Sequence, residues 1–150
     1  MEEKGKLLRS SVTPNKCCVY SCRIFSSNLL MAFIYKYYVY SLLFLMLYIT
    51  SHFYHSTKNT YTNITDKIAI ISVVFYGGNQ FWMKCQHINM FYQYIIANMV
   101  VIMFLVVLFL YFYGYIFQKY CFCKNKKIAD EYHSLLHYAS SVGHHLIIFL

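Results

Sequence analysis

The residues of this chain best suited to chemistry are histidines with helical spacing. His133 and His137 stand four residues apart, so on a helix their imidazoles lie one turn apart and can converge on one point. Both lie in the run 132–150, which contains no Asp, Glu, Lys or Arg and can cross a hydrocarbon core of roughly 30 Å. Lipid cannot satisfy polar groups on such a helix, so the pair must face partners from elsewhere in the chain. His144 and His145 lie too far along the run to join the same site, and we expect them at a helix or membrane interface.

Suitable partners occur at the ends of two earlier apolar runs. Ser51 and His55 stand four residues apart where the first run ends, and Asp66 opens the second run. His52 is a rival to His55 because it can point the same way, but the spacing from Ser51 favours His55. Asp66 also has a purely structural explanation, since an acid in the first turn of a helix complements the helix dipole. Ser51, His55 and Asp66 are therefore candidates for the same site as the histidine pair.

Composition excludes an ordinary soluble domain. Of the 150 residues, 59% are apolar and only 12% are charged, against about 25% charged residues in average soluble domains. The formal charge of +8 comes from basic residues that flank apolar runs, which indicates anionic lipid headgroups and topology as its cause. No basic face with interleaved aromatics lies outside the apolar runs, so we expect membrane lipids and no nucleic acid as partners. The sequence predicts an integral, multi-pass membrane protein and does not identify its organelle.

Hydropathy predicts an all-α transmembrane helical bundle. Residues 1–28 are polar and basic and are expected to form a tail outside the membrane, whereas 29–150 form the transmembrane domain. Lys36 interrupts the first span and would have to snorkel toward one end. We predict four spanning helices, at 29–54, 67–82, 94–117 and 132–150.

Basic residues after the third span give the orientation. Lys124, Lys126 and Lys127 follow that span at once, which places this end in the cytosol. Because successive spans cross the membrane in opposite directions, every candidate residue of the site then lies at the cytosolic face. It also leaves the basic N-terminal tail on the other side, contrary to the positive-inside rule.

The six cysteines show no disulfide framework. Five of them flank apolar runs, which is typical of S-acylated cysteines and equally of reduced thiols at a cytosolic interface. Their CCxxxC and CxC spacings do not match a zinc ribbon, so a metal site built from them has little support. These five are Cys17, Cys18, Cys22, Cys121 and Cys123.

The order of the site candidates along the chain is also informative. The segment 51–56 reads Ser-His-Phe-Tyr-His-Ser, the segment 66–70 reads Asp-Lys-Ile-Ala-Ile, and the last run opens with His133-x-x-x-His137. In this order the motifs resemble those of the CREST superfamily of membrane hydrolases and receptors. That superfamily includes the alkaline ceramidases, the progestin and adipoQ receptors and bacterial hemolysin III.

The resemblance implies a zinc site and a reaction. It implies that His55, His133 and His137 bind Zn²⁺, while Asp66 and Ser51 handle the water that the metal activates. Independently, three neutral imidazoles leave one position of a tetrahedral zinc open, and a nearby carboxylate can transfer the proton when an amide or ester carbonyl is attacked. The expected function is zinc-dependent hydrolysis of a lipid amide or ester, with the lipid entering from the bilayer.

A non-catalytic membrane protein is the alternative. It would be either a degenerate relative that keeps a structural zinc or a partner that oligomerises through its polar stripes. The superfamily has seven spanning helices, so the chain is expected to be a reduced version of that fold. A second copy of the chain or another protein could supply the missing helices.

Overall fold

Five long helices make up most of the computed structural model, which describes residues 16–150. No β-strand occurs among these residues, which confirms the all-α class. We number the helices along the chain. Helix α1 is Lys16–Ile34, with a 3-10 turn at Cys22–Ile24, α2 is Tyr38–Thr57, and α3 is Thr60–Cys85. Helix α4 runs from Phe91–Leu108 through a π-helical segment, Phe109–Tyr113, to Gly114–Phe117, and α5 is Lys126–Phe149.

The first predicted span is divided into two helices. The chain reverses at Lys36, whose φ of 64° lies in the left-handed region, so 29–34 belong to α1 and 38–54 to α2. Lys36 therefore sits in a turn between helices and does not need to snorkel out of the middle of one.

Residues 16–28, which we assigned to the tail, form most of α1. The helix forms because its buried residues repeat every three to four positions, which gives one continuous face. The sequence analysis missed this helix because it gave weight to the basic residues of 1–28, Lys16 and Arg23 among them, although 16–34 is apolar enough to cross a membrane. The face consists of Cys18, Cys22, Phe25, Asn28 and Ala32, each at most 4% exposed. Residues 1–15 of the predicted tail lie outside the described part of the chain.

Contacts between the helices show that they alternate in direction. Ser21 of α1 is bonded to His137 of α5, and Asn28 further along α1 is bonded to Ser141, so these two helices run parallel. Helix α2 runs the opposite way, because its end lies beside the start of α5 and its beginning lies beside the later part of α5.

The other two helices continue the alternation. Ser51 near the end of α2 contacts Asp66 near the start of α3, so α2 and α3 are antiparallel. Tyr120, just after α4, packs on Tyr132 near the start of α5. One end of the bundle therefore collects the starts of α1, α3 and α5 and the ends of α2 and α4, and we call it the site end.

Aromatic and polar side chains pack together in the middle of the bundle. Tyr40 and Phe44 of α2 are fully buried, and the Tyr40 hydroxyl is hydrogen-bonded to Nδ1 of His144. Gly77 of α3 makes room for this pair, since a Cβ there would lie 2.5 Å from the Tyr40 hydroxyl and 3.0 Å from the His144 ring. Three helices thus meet at a point where a small residue is required.

The outer surface of the bundle is strongly apolar. Within the described residues, two helical stretches, Lys16–Ile34 and Phe91–Phe122, are long and apolar enough to cross a membrane. Even large side chains of α4 are exposed, and Phe91, for example, is 80% exposed. Two helices of the described residues thus have the length and apolar character that the prediction of a membrane protein requires, and the predicted bundle of four spans is not confirmed.

Candidate metal centre

Three imidazole rings lie together at the site end. The ring centres of His55 and His133 are 5.0 Å apart, those of His55 and His137 are 5.2 Å apart, and those of His133 and His137 are 4.9 Å apart. Three imidazoles bound to one tetrahedral zinc at about 2.1 Å would have ring centres about 5 Å apart. The structure therefore brings together the three histidines predicted as ligands, at separations that suit one ion.

One nitrogen of this cluster lacks a conventional partner. His55 is only 4% exposed, and its Nε2 is buried without a hydrogen-bond partner among the described residues. Leaving a polar atom in this state costs roughly 1–3 kcal/mol. A metal ion would satisfy Nε2, so the donor set and its burial both fit a metal ligand.

A cysteine belongs to the same cluster. Cys18 Sγ and one ring nitrogen each from His55 and His133 all lie within 4.8 Å of one another. This group shares two members with the predicted triad but has Cys18 as its third member in place of His137. The two sets overlap in space, because the three rings pack directly on one another and the sulfur approaches two of them.

His137 is held in place by α1. Its Nδ1 is hydrogen-bonded to Ser21 Oγ at 2.8 Å, and its ring packs edge-on against Phe25. The bond to Nδ1 leaves Nε2 as the nitrogen that can bind an ion. Residues that do not bind the metal but hydrogen-bond to a metal-binding histidine orient its ring, and most such sites contain them.

Ser51 and Asp66 form a second buried unit at the site end. Ser51 Oγ donates a hydrogen bond to Asp66 Oδ1 at 2.5 Å, and Thr50 Oγ1 donates to the same oxygen at 3.4 Å. Ser51 is 1% exposed and Asp66 is 5% exposed. Ser51 also lies one helical turn before His55, so the two units share the buried face of α2.

The remaining histidines lie elsewhere. The ring of His52 packs near Tyr48 and Phe53, whereas the ring of His55 joins the cluster. His144 is bonded to Tyr40, and Nδ1 of His145 lies 3.0 Å from Nδ2 of Asn28. Both of these histidines therefore contribute to contacts between helices. They lie further along α5 than the candidate metal centre.

Sequence analysis did not identify Cys18 or Ser21 as members of the site. Both lie in the segment assigned to the tail, and their contribution depends on α1 packing parallel to α5. The available signal was the periodic spacing of the small and sulfur-containing residues in 18–32.

No protein-family model, curated protein or solved structure matches this chain. The candidate metal centre therefore rests on the chemistry and geometry of its own residues.

Loss of the Ser21 hydroxyl should weaken metal binding. In Ser21→Ala the His137 ring loses the bond that orients it, and we expect zinc affinity to fall about 10- to 100-fold. Affinity can be measured by competition with a chromophoric chelator in detergent solution. Ser26→Ala is the matched control, because Ser26 is exposed on the same helix and bonds only to the Arg23 carbonyl within its own turn. Equal affinity in both variants would contradict the assigned role of Ser21.

Proposed function

We propose that this protein is a multi-pass membrane hydrolase that uses zinc to cleave lipid amide or ester bonds, and that it is a shortened relative of the CREST superfamily. The observation that carries the proposal is the convergence of the rings of His55, His133 and His137 at the end of the bundle that also holds the Ser51–Asp66 pair. The same residue types occur in the same order in the superfamily that the sequence resembles.

The apolar surface supports a location within the bilayer. Soluble proteins rarely expose large contiguous apolar patches, yet exposed large hydrophobic side chains occur on all five helices here. Helices α2 and α3 contribute Phe53 and Phe75, for example, which are 56% and 81% exposed. Lipid contact would account for this surface, and we propose that all five helices lie within the membrane.

Five alternating helices also remove the conflict over topology. With α1 included, Lys16 at the start of α1 lies at the same end as the loop between α4 and α5, so this residue and the lysine cluster share one side. The positive-inside rule then places the site end in the cytosol. In the described residues, the lysines near the site end are Lys16, Lys58, Lys67, Lys119, Lys124, Lys126 and Lys127, and those near the other end are Lys36 and Lys84.

A protease-protection experiment tests this topology. Epitope tags at the N-terminus and in the loop 118–125 should be cleaved together in membranes with an exposed cytosolic face, whereas a tag in the loop 86–90 should be protected. Detergent-permeabilised membranes, in which all three tags are cleaved, provide the control. Cleavage of the N-terminal tag together with the 86–90 tag in intact membranes would contradict the five-helix arrangement.

The residues of the site suit zinc. His55, His133 and His137 would hold the ion, because imidazole nitrogen is a common zinc ligand and is unusual for magnesium or calcium. When bound, zinc polarises a carbonyl and makes water a nucleophile near neutral pH.

Asp66 is suited to transfer a proton. Both neighbouring hydroxyls donate to Oδ1, which fixes the carboxylate and leaves Oδ2 to accept a proton from the attacking water. The protonated carboxyl can then donate to the leaving amine or alkoxide. Ser51 positions Asp66 in this scheme and does not act as a nucleophile.

A small cleft between α2 and α3 provides a path for the substrate. Its volume is about 220 Å³, which is less than the roughly 300–1,000 Å³ of most small-molecule pockets, so it would hold only part of a lipid. Thr50, which also donates to Asp66, lines the cleft together with Thr65 and apolar side chains. An acyl chain lying between the two helices could thus bring its carbonyl toward Asp66.

A metal protein without hydrolase activity is the second candidate. The proximity of Cys18 to two of the histidines favours it, because structural zinc sites are filled by four protein ligands and catalytic sites keep one position open.

Removal of the Asp66 carboxylate separates these two functions. In Asp66→Asn the group keeps its shape but cannot accept the proton, and we expect release of fatty acid from ceramide or phospholipid micelles to fall at least about 100-fold. Zinc content should be unchanged. Glu131→Gln is the control, since Glu131 is an exposed acid at the same end of the bundle. Undiminished hydrolysis by Asp66→Asn would contradict the role of Asp66. Zinc-loaded wild-type and Cys18→Ser proteins that both fail to hydrolyse lipids would favour the structural site.

A further inference from the structure

Cys18 lies in the first turn of α1, next to the candidate metal centre. It is completely buried, and its Sγ lies within 4.8 Å of ring nitrogens on two other helices, from His55 and His133. The neighbouring Cys17 is exposed and contacts Ser134 Oγ at 3.1 Å. Two adjacent cysteines therefore have different surroundings, and only Cys18 belongs to the ligand group.

A second observation points to a ligand at the same place. The buried Nε2 of His55 has no hydrogen-bond partner among the described residues, although the side chain belongs to the group that includes Cys18. An ion bound between Cys18 and His55 would engage both side chains more strongly than they engage each other. Thiolate and imidazole together are a donor set typical of zinc.

The contacts of Cys18 Sγ include two with α5. The sulfur lies 3.7 Å from the Asp130 carbonyl and 3.9 Å from Ser134 Oγ, and both are long contacts. Ionisation of the thiol gives the form of cysteine that binds a metal. It would also place a negative charge beside an ion that neutral imidazoles cannot balance, and buried charges need such balance.

We propose that the Cys18 thiolate is a fourth ligand of the metal centre and closes it in the resting protein. This rests on the proposed metal centre and adds a regulatory element to it. With Cys18 bound, His55, His133 and His137 complete a tetrahedral set of four protein ligands, and no position is open for catalysis. Cys18 must leave the ion before hydrolysis can occur.

Cobalt substitution tests the sulfur ligand directly. Co²⁺ bound to a thiolate gives a strong charge-transfer band in the near ultraviolet, which imidazole ligands alone do not give. We expect this band in the Co²⁺-loaded wild type and in Cys17→Ser, and its loss in Cys18→Ser, which should still bind one Co²⁺ through the histidines. If the hydrolase proposal is right, Cys18→Ser should also hydrolyse lipid faster than the wild type.

The outcomes distinguish this inference from the proposal on which it rests. A wild type that binds one Co²⁺ without the charge-transfer band would overturn the role of Cys18 and leave the histidine site intact. A wild type that binds neither Co²⁺ nor Zn²⁺ would overturn both. If Cys18→Ser fails to fold, the wild type still decides, because the X-ray absorption spectrum of the zinc-loaded protein should show one sulfur neighbour at about 2.3 Å beside nitrogen neighbours at about 2.0–2.1 Å. A spectrum with nitrogen neighbours alone would also overturn the inference.

Discussion

The structure depends on one constraint, which is that each polar side chain on the inner face of α5 must find a partner inside an apolar bundle. Four buried residues of α5 follow one another at helical spacing: Ser134, His137, Ser141 and His144. Burial of a polar group without a hydrogen-bond partner lowers the free energy of unfolding by roughly as much as a typical core mutation. The positions of α1 and α2 are therefore set by the partners that they bring to this face.

Helices α1 and α2 each provide hydrogen-bond partners for these residues of α5. Helix α1 brings Ser21 to His137 and Asn28 to Ser141, and α2 brings Tyr40 to His144. At the site end, however, His55 faces the His133 and His137 rings, and its Nε2 is left without a partner among the described residues. The histidine of α2 that faces the pair on α5 is thus left with a nitrogen that hydrogen bonds do not satisfy, and an ion fits at this position.

Sequence reasoning could predict the parts of this arrangement that follow from spacing. The interval between His133 and His137, and that between Ser51 and His55, place each pair on one face of a helix. The alternation of helices then brings both faces to one end, where the structure also has Asp66. The all-α class follows equally from the long apolar runs.

The remainder could not be predicted because it depends on where helices break and on tertiary pairing. The reversal at Lys36 falls inside one continuous hydropathic run, so the run appeared to be a single span. Helix α1 buries cysteines and an asparagine. Burial of the asparagine is stabilised by hydrogen bonds to α5, and the sequence does not show which helix supplies them. Missing α1 removed Cys18 and Ser21 from the site and also produced the apparent conflict in topology.

The most direct test of the metal centre is the zinc content of the purified, detergent-solubilised protein, measured by mass spectrometry of the elements. We expect one zinc per chain in the wild type and in His87→Ala, whose histidine lies in an exposed turn. Zinc should be lost from His55→Ala, His133→Ala and His137→Ala. A wild type without zinc, or a His133→Ala variant that retains it in full, would contradict the account.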